Sequence, residues 1–257
     1  MTKTKKILLM SLCAILTTGA PLVHAAESHG SATPDMAWSF DGPLGTYDRA
    51  ALQRGYKIYR EVCSACHAMK RVAFRNLTAL GYNEDEVKAI AASYTVMDGP
   101  NEEGEMVERP GKSSDHFKSP FPNDNAAKFA NNGALPPDLS LITKARHGGA
   151  DYVYGILTGY GHAPADKMLL SGQYWNHTMP GNVIAMAPPL SDGQITYEDG
   201  TPQTLDQYAR DVAHFLTWAA EPEMEARKRM GVKVILFLSI FALLMYAVKR
   251  KIWASLH

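Results

Sequence analysis

Cys63-Ser64-Ala65-Cys66-His67 puts two thiols and an imidazole within five residues. C-x-x-C-H is the spacing of a covalent haem c attachment site. Thiols three positions apart lie on one side of a helical turn and can reach the two vinyl groups of one porphyrin, while the following imidazole is placed to bind the iron. A structural zinc site would need a second cysteine pair, and the chain has only Cys13 besides these two. A thioredoxin-like redox pair would need a surrounding βαβ pattern. The segment before Cys63 reads as helix instead.

Asp48 is a candidate N-cap. Leu52, Tyr56, Tyr59, Cys63 and Cys66 recur at intervals of three and four, which predicts an amphipathic helix from about 48 to 67 with both sulfurs on its apolar face. With Cys63 and Cys66 committed to haem and Cys13 in a leader-like segment, no internal disulfide is expected.

The residue on the other side of the iron decides whether such a haem binds ligands or only carries electrons. Downstream candidates are Met97, Met106, Met168, Met179 and Met186, with His147, His162, His177 and His214. Met179-Pro180 resembles the Met-Pro of small soluble cytochromes c. Met186-Ala187-Pro188-Pro189 lies between helical segments, where two prolines restrain the backbone. Spacing alone does not choose between Met179 and Met186.

Both ends of the chain are apolar. Lys3, Lys5 and Lys6, the run from Ile7 to Thr18 and the small residues around Val23-His24-Ala25 have the anatomy of a cleaved secretory signal over residues 1–26. Val232 to Val248 is interrupted only by Lys233 and is flanked by Arg227-Lys228-Arg229 and Lys249-Arg250-Lys251, with Trp253 at interface depth. Seventeen residues at about 1.5 Å each reach about 25 Å, near the lower limit for a bilayer. The expected organisation is a signal at 1–26, an exported domain at 27–226, a transmembrane anchor at 227–250 and a cytoplasmic tail at 251–257.

Formal charge is zero over the whole chain, yet all 26 Asp and Glu lie between Glu27 and Glu225. The part from Glu27 to Gly231 carries 19 basic residues against those 26, a net of −7. The acids concentrate in Glu84-Asp85-Glu86 and in five between Asp98 and Glu108. Beside a haem they would steer a basic partner. No basic surface interleaved with aromatics suggests nucleic acid.

Local signals predict a mostly α fold with long loops. A helix is expected from Asn83 through Ser93, a short one from Asp138, another over 150–157 ending at Gly159 and Gly161, and a long one from Thr201-Pro202 to Pro222. Residues 97–137 and 162–200 read as loop, with no alternating strands.

Longer strings point to one family. Asn131-Asn132-Gly133-Ala134-Leu135-Pro136-Pro137-Asp138-Leu139-Ser140, Ala145-Arg146-His147-Gly148-Gly149, Leu157-Thr158-Gly159-Tyr160, Met186-Ala187-Pro188-Pro189 and Trp218-Ala219-Ala220-Glu221-Pro222-Glu223 resemble cytochrome c1, in the family's order from about Trp38 to Trp253. The lack of long insertions and the bacterial-looking leader suggest a proteobacterial member. The resemblance implies a cytochrome c-like haem domain plus one C-terminal transmembrane helix, with one haem c bound through Cys63 and Cys66 and ligated by His67 and Met186. It further implies Arg146 pairing with a haem propionate, Tyr152 and Asn131 contacting the haem or its propionates, and Pro137 packing beside the imidazole.

By the same resemblance the chain is an electron-transfer subunit of the quinol–cytochrome c reductase (cytochrome bc1) complex, with cytochrome b and the Rieske iron–sulfur protein as neighbours. It accepts electrons from the Rieske protein and passes them to a soluble or tethered cytochrome c, with no substrate chemistry of its own. The haem domain then sits in the periplasm on a single-pass inner-membrane anchor. A stand-alone anchored shuttle and a haem peroxidase are the rival readings.

Overall fold

The computed structural model describes residues 33–254. The expected signal segment and the last three residues lie outside the described residues.

Asp48 caps helix α1 (Arg49–Glu61), its carboxylate accepting from the backbone amides of Ala50 and Ala51. The helix stops six residues short of His67. Val62, at φ −122° and ψ −62°, leaves helical geometry, and Cys63–Ala65 tighten into one 3₁₀ turn. Cys63 therefore packs against the core beside Val62 while Cys66 is exposed, so the two sulfurs do not share the apolar face of one helix.

A second 3₁₀ run, Phe74–Leu80, follows and ends at Gly81 with φ 102°, a backbone conformation that favours glycine. Helix α2 (Glu84–Ala92) opens on a capping box. Asn83 accepts from the amides of Asp85 and Glu86, and the Glu86 carboxylate accepts from the Asn83 amide. The acidic triad Glu84-Asp85-Glu86 thus satisfies a helix N-terminus, where negative charge is favoured.

The stretch expected to be loop from 97 to 137 contains an antiparallel hairpin and a short helix. Strand β1 (Thr95–Asp98) pairs with β2 (Val107–Pro110) in the register Met97↔Glu108. Arg109 clamps the hairpin to the loop behind it, bonding Asp98 through Nε and Asp115 through Nη1 at 2.6 Å. Helix α3 (Asp124–Ala130) is capped by Asn123. Another 3₁₀ turn, Leu139–Leu141, leads into α4 (Ile142–Ala145), and α5 (Gly149–Thr158) ends at Gly159. Two-residue strands β3 (Tyr174–Trp175) and β4 (Val183–Ile184) pair within the expected loop from 162 to 200.

Helix α6 (Leu205–Ala220) starts later than Thr201-Pro202 suggests. The cap is Thr204, whose hydroxyl accepts from the Gln207 amide, because residues 201–204 are held extended by Gly193 N bonding Gln203 O and Leu205 N bonding the Asp192 carboxylate. Glu221 ends the helix beside Pro222, and α7 (Met224–Trp253) follows.

α1 and α6 form the centre of the domain. They approach so closely that a Cβ on Gly55 would lie 2.1 Å from the carbonyl oxygen of Asp211. Tyr59 stacks on Phe117, with centroids 5.8 Å apart, and Phe117 meets Phe74 at 5.0 Å. Phe215 joins this cluster through Tyr56 and Tyr59 and stacks on Trp218. Burying one such side chain contributes about 1.5–3 kcal/mol.

One charge is sealed between the two helices. The Asp211 carboxylate, fully buried, accepts two bonds from Arg54 (Nε at 2.8 Å, Nη2 at 3.0 Å), one from Tyr197 Oη at 2.9 Å and one from Gln207 Nε2 at 3.1 Å. Four donors replace the water it loses.

Only Met224 of α7 is buried against the domain. The helix then continues as an apolar rod with a mean hydropathy of 2.3 over its most apolar stretch, none of it covered by the rest of the chain. Thirty residues reach about 45 Å, more than the roughly 30 Å hydrocarbon core of a bilayer. It extends past the expected 227–250 at both ends, and Lys249 Nζ sits 5.0 Å from the ring centroid of Trp253 near its far end. The observed architecture is mostly α, with one helix long and apolar enough to cross a membrane.

Candidate haem site

The 3₁₀ turn after α1 brings His67 back over Cys63. His67 N bonds Cys63 O at 2.8 Å, and Cys66 N bonds the same oxygen at 3.1 Å. Tyr59, from the buried face of α1, holds the His67 carbonyl at 3.4 Å. Sequence spacing thus fixes the thiols and imidazole locally, and α1 brings Cys63 against the core while Cys66 stays exposed.

A second segment, 137–140, is stitched alongside. Leu139 N bonds Ala68 O at 2.8 Å, Lys70 N bonds the Asp138 carboxylate at 3.0 Å, and Arg71 N bonds Ser140 Oγ at 3.1 Å. This places the Pro137 carbonyl oxygen 2.8 Å from His67 Nδ1. With Nδ1 donating to that carbonyl, the free lone pair of a neutral ring lies on Nε2. Burial holds the imidazole below its ordinary pKa, against the opposing pull of the Pro137 carbonyl and Asp138. Burial also pushes the Cys63 thiol up to about 12, so it stays neutral.

The two methionine candidates sit differently. Met186 is half-buried and packs on the core. Its loop is pinned from α5's far side, where Tyr160 Oη donates to Met186 O at 2.9 Å and lies 3.4 Å from Ala187 O. Met179 belongs to a turn organised by Asn176, a fully buried amide that donates to Ile156 O at 2.8 Å and accepts from the amides of Thr178 and Met179. The Met179 thioether already accepts from Tyr152 Oη at 3.7 Å.

The other expected site residues fall around these segments. Asn131 is the C-cap of α3, its Nδ2 donating to Ala127 O at 2.8 Å. Arg146 is exposed, bonds only its neighbour's carbonyl at 3.3 Å and forms no ion pair among the described residues, so its guanidinium fork is available to a carboxylate. Pro137 meets His67 through its backbone oxygen. Sequence reasoning passed over Tyr160 and Asp138: one lies 26 residues from the loop it holds, the other acts through backbone amides, and neither leaves a periodic signal.

This donor set fits a haem c. A neutral imidazole is oriented by a carbonyl, a neutral buried thiol stands beside a second thiol, and a thioether is held in a fixed loop. A helical domain with such a set, ahead of one long apolar helix, has the make-up of a membrane-anchored c-type cytochrome.

Its sequence relatives narrow the class. The profile of the Cytochrome C1 family matches residues 38–256, and the chain belongs to that family. It is 48% identical to cytochrome c1 of Rhodospirillum rubrum over 89% of this chain and 90% of that protein. It is 52% identical to the mitochondrial "Cytochrome c1-2, heme protein" of Solanum tuberosum over 89% of this chain and 88% of that one. A Bradyrhizobium diazoefficiens protein named "Cytochrome b/c1" is 50% identical over 87% of this chain, which spans only 36% of its length. Membership makes the chain a haem-containing electron-transfer protein of the bc1 type.

Proposed function

We propose that this chain accepts single electrons from a Rieske iron–sulfur protein and delivers them to a cytochrome c, as a subunit beside cytochrome b. One haem c supplies the one-electron iron couple when bound. Cys63 and Cys66 would hold it covalently, His67 and Met186 would supply its iron ligands, and Arg146 would pair with one of its carboxylates. The observation that carries this reading is the 2.8 Å bond from His67 Nδ1 to Pro137 O, which aims Nε2 as a ligand. The Tyr152 bond to the Met179 thioether, set against Met186, which packs on the core in a backbone-pinned loop with no hydrogen bond to its sulfur among the described residues, supports Met186 as the partner ligand.

The chain's own residues then do three things. They orient the His67 ring through the Pro137 carbonyl, they fix both ligands so that little reorganises when the charge changes, and methionine ligation raises the potential. The Bradyrhizobium protein, with b and c1 joined in its name, supports cytochrome b as neighbour. The organisation proposed with it is an exported domain over 27–226, an anchor over 227–250 and the periplasm as the site of the haem domain.

Affinity purification of the full chain from membranes tests the assignment. Co-purifying cytochrome b and Rieske protein, with haem that stays on this polypeptide through denaturation, are expected. A monomer without cytochrome b would leave the stand-alone shuttle, and a five-coordinate iron that binds carbon monoxide readily would leave the peroxidase.

A further inference from the structure

Where α7 leaves the domain, one face of the helix carries Glu225, Lys228, Arg229, Val232 and Lys233, at positions i, i+3, i+4, i+7 and i+8. The loop 43–46 lies across this stripe and forms with it a half-open cavity of about 340 Å³. Its walls are mainly apolar, from Pro43, Leu44 and Val232, and its rim is cationic. The cavity is preformed, because the loop is bolted to the helix. Lys228 Nζ donates to Phe40 O at 2.5 Å and lies 3.4 Å from Gly45 O, while Tyr47 N bonds the Glu225 carboxylate at 2.8 Å.

The charges around it are unequal in their commitments. Glu225, the one acid in the lining, is paired with Arg49 Nη2 at 2.8 Å and also accepts from the Tyr47 amide. Lys228 is spent on carbonyls, and Arg227 pairs with Glu221. Arg229 makes one hydrogen bond, from Nε to the Glu225 carbonyl at 3.3 Å, and lies in the field of the Glu225 carboxylate that Arg49 already pairs, while Lys233 has no partner among the described residues. Two cations are therefore left for an external anion. Leu44, 78% exposed, stands beside them at the level where the apolar rod begins.

We propose that this cavity binds one anionic phospholipid, its phosphate between Arg229 and Lys233 and its glycerol and upper acyl carbons against Leu44, Pro43 and Val232. Long cationic side chains at a helix end reach toward headgroups, and an apolar wall below them selects a lipid over a free anion. The lipid wedges the loop 43–46 against α7 and sets the haem domain's height above the membrane. This rests on α7 being the membrane anchor.

The test uses the full, haem-loaded chain in micelles containing phosphatidylcholine and phosphatidylglycerol, read by native mass spectrometry. One phosphatidylglycerol should stay bound to the unaltered protein. R229Q/K233Q should lose it at least fivefold with an unchanged haem spectrum, and K249Q/R250Q, at the other end of the helix, should retain it. Equal retention by R229Q/K233Q, equal retention of phosphatidylcholine, or release by inorganic phosphate would overturn the proposal. Alkaline carbonate separates the two readings. A chain washed from membranes would sink the anchor and the lipid site together, whereas a chain that stays in the membrane yet shows no lipid preference would sink the lipid site alone.

Discussion

His67 Nδ1 donates to the carbonyl oxygen of Pro137 across 2.8 Å, joining two segments seventy residues apart. The bond needs the Pro136-Pro137-Asp138 segment in place, and Asp138 holds it there through the amides of Lys70 and Ser140. A proton on Nδ1 that is hydrogen-bonded in a shielded site exchanges slowly with water. In the reduced protein its resonance should persist for hours in deuterated solvent. Exchange within the dead time would mean that the ring is not held this way.

Tyr160 restrains the Met186 loop through one hydroxyl. Removing a hydrogen bond of this kind costs about 0.5–1.5 kcal/mol, which corresponds to a roughly two- to tenfold gain in competition by exogenous imidazole. Tyr160→Phe should show that gain at unchanged haem content, while Tyr154→Phe, whose hydroxyl bonds Asp206 on another face, should show none. Equal affinities in the two variants would remove Tyr160 from the ligand's support.

Asp211 is the most exposed point of the fold to a single change, although it is wholly buried. Asp211→Ala takes from the Arg54 guanidinium, whose side chain is 15% exposed, its buried partner between α1 and α6 and leaves it only Asp199, at 2.8 Å. Breaking one side of a buried ion pair costs about 3–5 kcal/mol. Because Asp199 still pairs with Arg54, denaturant melts of the haem-loaded protein should report a loss near the lower end of that range. A change below about 1 kcal/mol would show that the pair is structurally dispensable.

The acidic clusters divide in the structure. Glu84-Asp85-Glu86 serve α2's start, and Asp98 is paired with Arg109. Glu102, Glu103, Glu105 and Glu108 remain exposed on the β1–β2 hairpin without ion pairs among the described residues. These are the residues available to steer a basic cytochrome c. Neutralising the first three to Gln should lower the bimolecular rate at low salt and flatten its dependence on ionic strength. Rates that fall with salt just as steeply in the variant would place the docking field elsewhere.

Helices announced by caps and 3.6-residue periodicity were readable from sequence. Asp48 and Asn83 cap helices where the residue pattern puts them, and α6 falls within the span expected between Thr201 and Pro222. Shorter or non-local features were not. The β1–β2 hairpin is hidden among Gly, Pro and acids, and α3 is only seven residues long. The end of α1 is set at Val62 by the tight turn that returns His67 over Cys63. In the site, Cys63, Cys66 and His67 are legible because their chemistry is written in local spacing. Local spacing left Met179 and Met186 open, since the contacts that set them apart, from Tyr152 and Tyr160, come from residues 26 or 27 positions away.

Methionine ligation by Met186 is the claim on which the electron-transfer account turns. Magnetic circular dichroism and potentiometry on matched variants test it most directly. Met186→Leu should abolish the methionine-to-iron charge-transfer band and drop the potential sharply, while Met179→Leu should leave both unchanged. The band surviving in Met186→Leu and vanishing in Met179→Leu would contradict the account.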